Sequence, residues 1–292
     1  MSELPPRAEV IDALRYAVAP AVGATLAVAG VAGVSLWKLT PYWRRSMPAA
    51  SVLALAAALA AGNHFRAALP WEPGAAWWHL AGPAVGLALL AELLARVWPA
   101  VGQLLRGLVA GIAAAAFTPP EWQAEAQWTF PLLAAVLAAE WGVLVAVGRR
   151  HGGGTTCLAM AVAAGGAGAV LLHHNVLRFC DVATFVQVSL VALAGLAWLS
   201  RTDASAAAAV AVVPVVGVLM LGRFLSESAV SWGSFLAVGL APLALALLLA
   251  VPRRWWAAVL AVALVAGPVG WAVGTAMRDA PLKFDTPEKW DG

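Results

Sequence analysis

Ten runs of about twenty mostly apolar residues follow one another along this chain, and no polar stretch between them is long enough to fold alone. They occupy 17–37, 48–66, 75–95, 99–117, 128–148, 155–175, 181–199, 206–222, 232–251 and 255–276. In lipid, backbone donors and acceptors must be satisfied within the segment itself, so runs of this length are expected to be helices. Composition agrees: 62% of the residues are hydrophobic and 11% charged, against roughly 45–50% and 25% in soluble domains. Water-soluble globules, disordered chains and collagen-like fibres are excluded. The expected fold is all-α, a polytopic integral membrane protein with a bundle of about ten transmembrane helices. A short polar N-terminal segment (1–16) and a short polar tail (277–292) flank a single transmembrane domain at 17–276.

The charges give this bundle an orientation. Loops after odd-numbered runs hold Lys38, Arg44, Arg45, Arg96, Arg149, Arg150, Arg201, Arg253 and Arg254, with Asp203 as their one acid. Loops after even-numbered runs hold Glu72, Glu121, Glu125, Asp181 and Glu227 against Arg66, Arg178 and Arg223. The positive-inside rule therefore places the odd loops in the cytoplasm and both termini outside. The expected location is a bacterial-type cytoplasmic membrane, with the lipid bilayer as partner and further membrane subunits as conceivable ones. The 18 Lys and Arg form no basic block, so the net charge of +3 implies no nucleic-acid partner. The N-terminus lacks the basic region and small-residue cleavage site of a signal peptide, so the first run is expected to persist as a helix. Cys157 and Cys180 lie at opposite ends of one run, about 30 Å apart, which is too far for a disulfide.

Ionisable groups at membrane depth are costly and usually face a partner inside the bundle. Glu140 lies near the middle of the fifth run, and Arg106 lies inside the fourth. At 1.5 Å per residue they sit about 12 and 10 Å from the cytoplasmic ends of antiparallel neighbours, so a Glu140–Arg106 pair is expected. Such a pair is either a switchable proton or cation site or a static contact that sets helix register. Glu92 and Arg96, four residues apart, read as a simple surface-level pair.

Histidine supplies the second candidate. His64, His79, His173 and His174 all fall at outer ends of helices, where imidazoles could ligate haem or a transition metal, or relay protons. No HxxxH or HExxH spacing occurs, and interfacial histidines tolerated among headgroups are the simpler reading. The third candidate is the loop of Arg149, Arg150, Gly152, Gly153 and Gly154, where glycine-rich backbone at a helix start could cradle an anion. It lacks the Walker spacing and lysine, and a tight turn carrying cytoplasmic charge explains it more simply.

Twelve of the fifteen tryptophans fall at or near run ends, the two-belt pattern of interfacial anchors, while Trp141 and Trp271 lie deeper. Pro214, Pro242 and Pro268 lie inside the last three runs, and Gly267–Gly270 around Pro268 reads as the best place for a broken helix. Gly82/Gly86, Gly107/Gly111 and Gly270/Gly274 are GxxxG pairs that could mark close helix contacts. The expected function is a small-solute or proton-coupled transporter. A haem- or metal-binding subunit of a redox complex and an assembly subunit without its own site are the alternatives. A membrane enzyme using Glu and His at the outer face in acid–base roles stays open, although no nucleophile stands with its base in the sequence.

Overall fold

A computed structural model describes residues 19, 22, 23, 25, 50–59, 86–88, 90–92, 94, 95, 98–117, 129–174, 177–200, 202–225, 230–252 and 256–281. Every regular element among them is helical. They are α1 (Ala50–Leu59), α2 (Pro99–Phe117), α3 (Thr129–His151), α4 (Gly153–His173), α5 (Leu177–Ser200), α6 (Ser205–Leu225), α7 (Trp232–Leu240) and α8 (Ala257–Asp279). A 3₁₀ stretch, Ala241–Ala250, continues α7 without a break. The described residues at 86–95, which carry Glu92, are also helical.

Six of these helices are long and apolar enough to cross a membrane: Pro131–His151, Gly153–His173, Phe179–Leu199, Ser205–Arg223, Trp232–Ala250 and Ala257–Asp279. They correspond to the fifth to tenth runs of the sequence. α2 has the bounds expected of the fourth run, but its apolar stretch, Ala100–Ala115, is shorter than the six. The first three runs lie largely outside the described residues. Leucines such as Leu104, Leu132, Leu199 and Leu247 are left exposed on the outer faces, as a lipid-facing surface requires.

α6 runs through the centre. Its Ala- and Val-rich sequence is apolar all round, which suits a helix surrounded by others, and 89% of its span is buried against 28% for α8. On α8 the buried residues Ala257, Ala261, Val265, Val269, Ala272 and Ala276 recur every three or four positions, one stripe of a peripheral helix. α4 lies between α5, α6 and α8. Small residues let it do so: Gly165 lies against Gln187 of α5, Gly166 against Val269 of α8, and Leu171 against Gly222 of α6. The close glycine contacts are therefore not the expected GxxxG pairs. Gly86, Gly107, Gly111, Gly270 and Gly274 have no described neighbour within 4 Å of a Cβ position, and Gly82 lies outside the described residues.

The expected break at Pro268 is also displaced. α8 continues through Pro268 and α6 through Pro214. The helix instead changes type at Ala241, one residue before Pro242. A 3₁₀ helix rises about 2.0 Å per residue against 1.5 Å, so this nineteen-residue span reaches roughly 33 Å rather than 28 Å. Its buried residues Pro242, Leu245 and Leu248 repeat every third position, the spacing that a three-residue turn stacks on one line.

Chain direction alternates between the two ends of the bundle. At one end, His151 Nε2 lies 2.9 Å from the Leu248 carbonyl, and Cys157 donates to the Ala204 carbonyl at 3.3 Å. At the other, His173 Nδ1 lies 2.9 Å from the Ala280 carbonyl, and the Ser231 amide donates to Asp279 at 3.3 Å. Neither Cys157 nor Cys180 is in a disulfide.

Candidate functional site

α2 is mostly alanine, leucine and glycine, and its single charge, Arg106, is only 4% exposed. A guanidinium at such a position needs acceptors in its own plane. Glu92 supplies them: Arg106 Nε donates to Oε1 at 2.8 Å and Nη2 to Oε2 at 2.9 Å. Trp141 Nε1, on α3, donates to the same Oε1 at 2.7 Å. A bidentate Arg–carboxylate pair with a third donor is a strong, directional arrangement in a low-dielectric setting.

The partner of Arg106 is thus Glu92 and not Glu140. Depth along the axis suggested Glu140, but depth does not fix the direction in which a side chain points. Trp141 points its indole at the Glu92–Arg106 pair, and Glu140, one residue earlier, is turned by about 100° around α3. The same pair corrects the reading of Glu92 and Arg96 as a surface contact, because Glu92 is buried and committed to α2 and α3.

Glu140 is fully buried, near the middle of the Pro131–His151 span. Neither carboxylate oxygen has a hydrogen-bond partner among the described residues. It shares its face of α3 with Leu137 and Leu144, three residues before and four after, both also fully buried. A carboxyl in such surroundings is expensive in its charged form, and charge there has to be removed by a proton or matched by a cation.

The described histidines do not converge. His173 turns Nδ1 to the Ala280 carbonyl, while His174, adjacent on the chain, packs edge-on against Phe235 with ring centroids 5.0 Å apart. Among the described residues no group of three His, Cys, Asp or Glu is placed to hold a metal ion. His64 and His79 lie outside the described residues.

The glycine loop is a one-residue reversal between α3 and α4. Gly152 has φ 100° and ψ 146°, a region open in practice to glycine alone. Its neighbours close on protein. A Cβ at Gly153 would run into the backbone nitrogens of Ala204 and Ser205, and one at Gly154 into the Trp198 indole. The Asp203 carboxylate sits in the same place: Oδ1 accepts from the Ser205 amide at 2.9 Å and lies beside Gly153. The chain's own acid therefore lies at the start of α4, where helix N-termini favour negative charge. Arg149 and Arg150 are exposed beside it. Gly153→Val should destabilise the protein by more than about 3 kcal/mol, since the obstructing atoms are backbone and cannot rotate away. Gly142, open on the outer face of α3, is the control: there valine should cost less than about 1 kcal/mol. Thermal unfolding in detergent compares the two, and equal melting points would show that the 202–205 turn can yield.

Sequence reasoning missed Glu92 as the acceptor and Trp141 as its third donor. The signal for Trp141 was present, because it is one of two tryptophans set apart from the interfacial belts. A buried indole N–H normally finds an acceptor. The other, Trp271, is 55% exposed on α8 and packs its rim near Gly233.

No family model matches this chain, and no curated protein or solved structure matches it.

Proposed function

We propose that this protein is a proton-coupled transporter in which Glu140 carries the proton. One observation carries the reading: a fully buried carboxyl, halfway along a membrane-spanning helix, with both oxygens unpartnered among the described residues while the nearby Arg106 is already taken by Glu92. A static structural carboxylate would be expected to hold the arginine, as Glu92 does. A group left without a cation in an apolar interior is suited to taking up and releasing a proton instead. The reading also includes the finer topology: about ten spans, basic loops inside, both termini outside, in a bacterial-type cytoplasmic membrane.

The test is proton movement by the purified full chain in liposomes. A potassium diffusion potential set with valinomycin drives protons inward, and trapped pyranine reports acidification. Wild-type protein should acidify the lumen well above protein-free liposomes, and Glu140→Gln should abolish that excess. Wild-type rates equal to empty liposomes, or an unaltered rate in Glu140→Gln, overturn the reading.

A further inference from the structure

The face of α3 that carries Glu140 also carries His151, eleven residues on and about 20° out of phase at 100° per residue. His151 bonds the Leu248 carbonyl of the 3₁₀ stretch, so this face looks toward Ala241–Ala250, the part of the Trp232–Ala250 span against which α3 packs. The two spans run parallel, with their C-terminal ends joined at that bond. Measured back from it, Glu140 lies about 16 Å up α3 at 1.5 Å per residue. On the other span, Ala241 lies about 14 Å up at 2.0 Å per residue, with Gly239 about 3 Å beyond. Glu140 is therefore level with the junction where α7 becomes 3₁₀. That junction has a defect: Pro242 has no N–H, and in an i to i+3 pattern its missing donor is the one that would close on the Gly239 carbonyl.

A 3₁₀ run of ten residues is itself unusual, since runs beyond three or four are uncommon and mid-helix ones often mark hinges. Its core stripe of Pro242, Leu245 and Leu248 is straight only while the segment is 3₁₀. Rewound as α-helix, the same residues would drift by about 120° and the segment would shorten by about 5 Å. We infer that the junction at Ala241–Pro242 is the proton-dependent partner of Glu140: the protonated carboxyl donates to the Gly239 carbonyl, and the 3₁₀ segment rewinds as that bond forms and breaks. The inference rests on the reading of Glu140 as a proton carrier. It assigns the moving element and a backbone acceptor, the combination that broken membrane helices use to hold coupling ions.

Few other groups on the described elements packed against α3 could give the same response. The Trp232–Ala250 span has no titratable side chain, and α2 has only Arg106, held by Glu92. α6 has Arg223 at its far end, α4 has Cys157 and His173 near its two ends, and α3 itself adds Arg149, Arg150 and His151 at its terminus.

The test is the spacing of two nitroxide labels in the full chain, reconstituted in liposomes, with Cys157→Ser and Cys180→Ser as background. Leu236→Cys and Leu247→Cys, both exposed, bracket the junction. Pulsed electron resonance should show their distance shifting by about 3 Å between acidic and alkaline buffer, roughly 0.5 Å for each rewound residue between them. Glu140→Gln should hold one distance at both pH values, because its amide donates permanently. Pro242→Ala, which restores the N–H that closes on the Gly239 carbonyl in the 3₁₀ pattern, should hold the longer one at both pH values. A distance independent of pH, or one that shifts alike in Glu140→Gln, overturns the inference. If it is constant while Glu140→Gln still abolishes proton flux, the hinge is wrong and the transport reading stands.

Discussion

Glu140→Gln is expected to abolish potential-driven proton movement while the protein still inserts, folds and purifies. The amide is nearly the same size as the carboxyl, so the packing against Leu137 and Leu144 is kept and only the exchangeable proton is lost. Glu140→Leu sharpens the point, because it should separate function from stability in opposite directions. Removing an unpartnered buried polar group relieves a desolvation cost of about 1–3 kcal/mol, so the leucine variant should unfold at higher temperature than wild type and carry no protons. A carboxyl kept for packing would behave otherwise: the leucine variant would be no more stable, and flux would not depend on the side chain. Glu140→Asp completes the set, retaining a proton-binding group on a shorter arm and therefore some flux.

The second large effect falls on stability. Arg106→Leu leaves Glu92 buried with Trp141 as its remaining donor among the described residues, and breaking a buried ion pair from one side costs about 3–5 kcal/mol. The double variant Arg106→Leu/Glu92→Leu should recover most of that loss, since a buried pair replaced by apolar residues of similar volume is often neutral or better. Thermal unfolding of the two single variants and the double variant in one detergent gives the coupling energy directly. If the double variant were as unstable as the sum of the singles, the pair would not act as a unit. Proton flux should survive in the double variant at a rate close to wild type, because Glu140 has no bond to either residue.

The separate fates of Glu92 and Glu140 show how far the sequence could be read. Both were visible as carboxyls in apolar runs, but depth matched Arg106 to Glu140, and Glu92, near the end of its run, was matched to Arg96. What could not be read was rotation about the helix axis. A single residue step turns a side chain by about 100°, so Trp141 faces Glu92 while Glu140 faces elsewhere. The glycines follow the same logic. GxxxG spacing marks a smooth face but not what lies opposite it. The tight approaches occur at Gly153, Gly154, Gly165 and Gly166, where another element happens to close on α4.

The sequence by itself determined the apolar, helical character seen throughout the described residues and the bounds of the six helices long enough to cross a membrane to within a few residues. Those properties follow from local sums of apolar side chains and from the backbone's need to bond within its own segment, and neither requires knowledge of a neighbour. The tertiary structure alone decided the rest: that Arg106 belongs to Glu92, that Asp203 lies at the start of α4, that Pro242 changes the helix type where Pro214 and Pro268 do not. Each of these depends on which faces of separate helices meet, and therefore on packing between residues far apart in the chain, which no single run encodes.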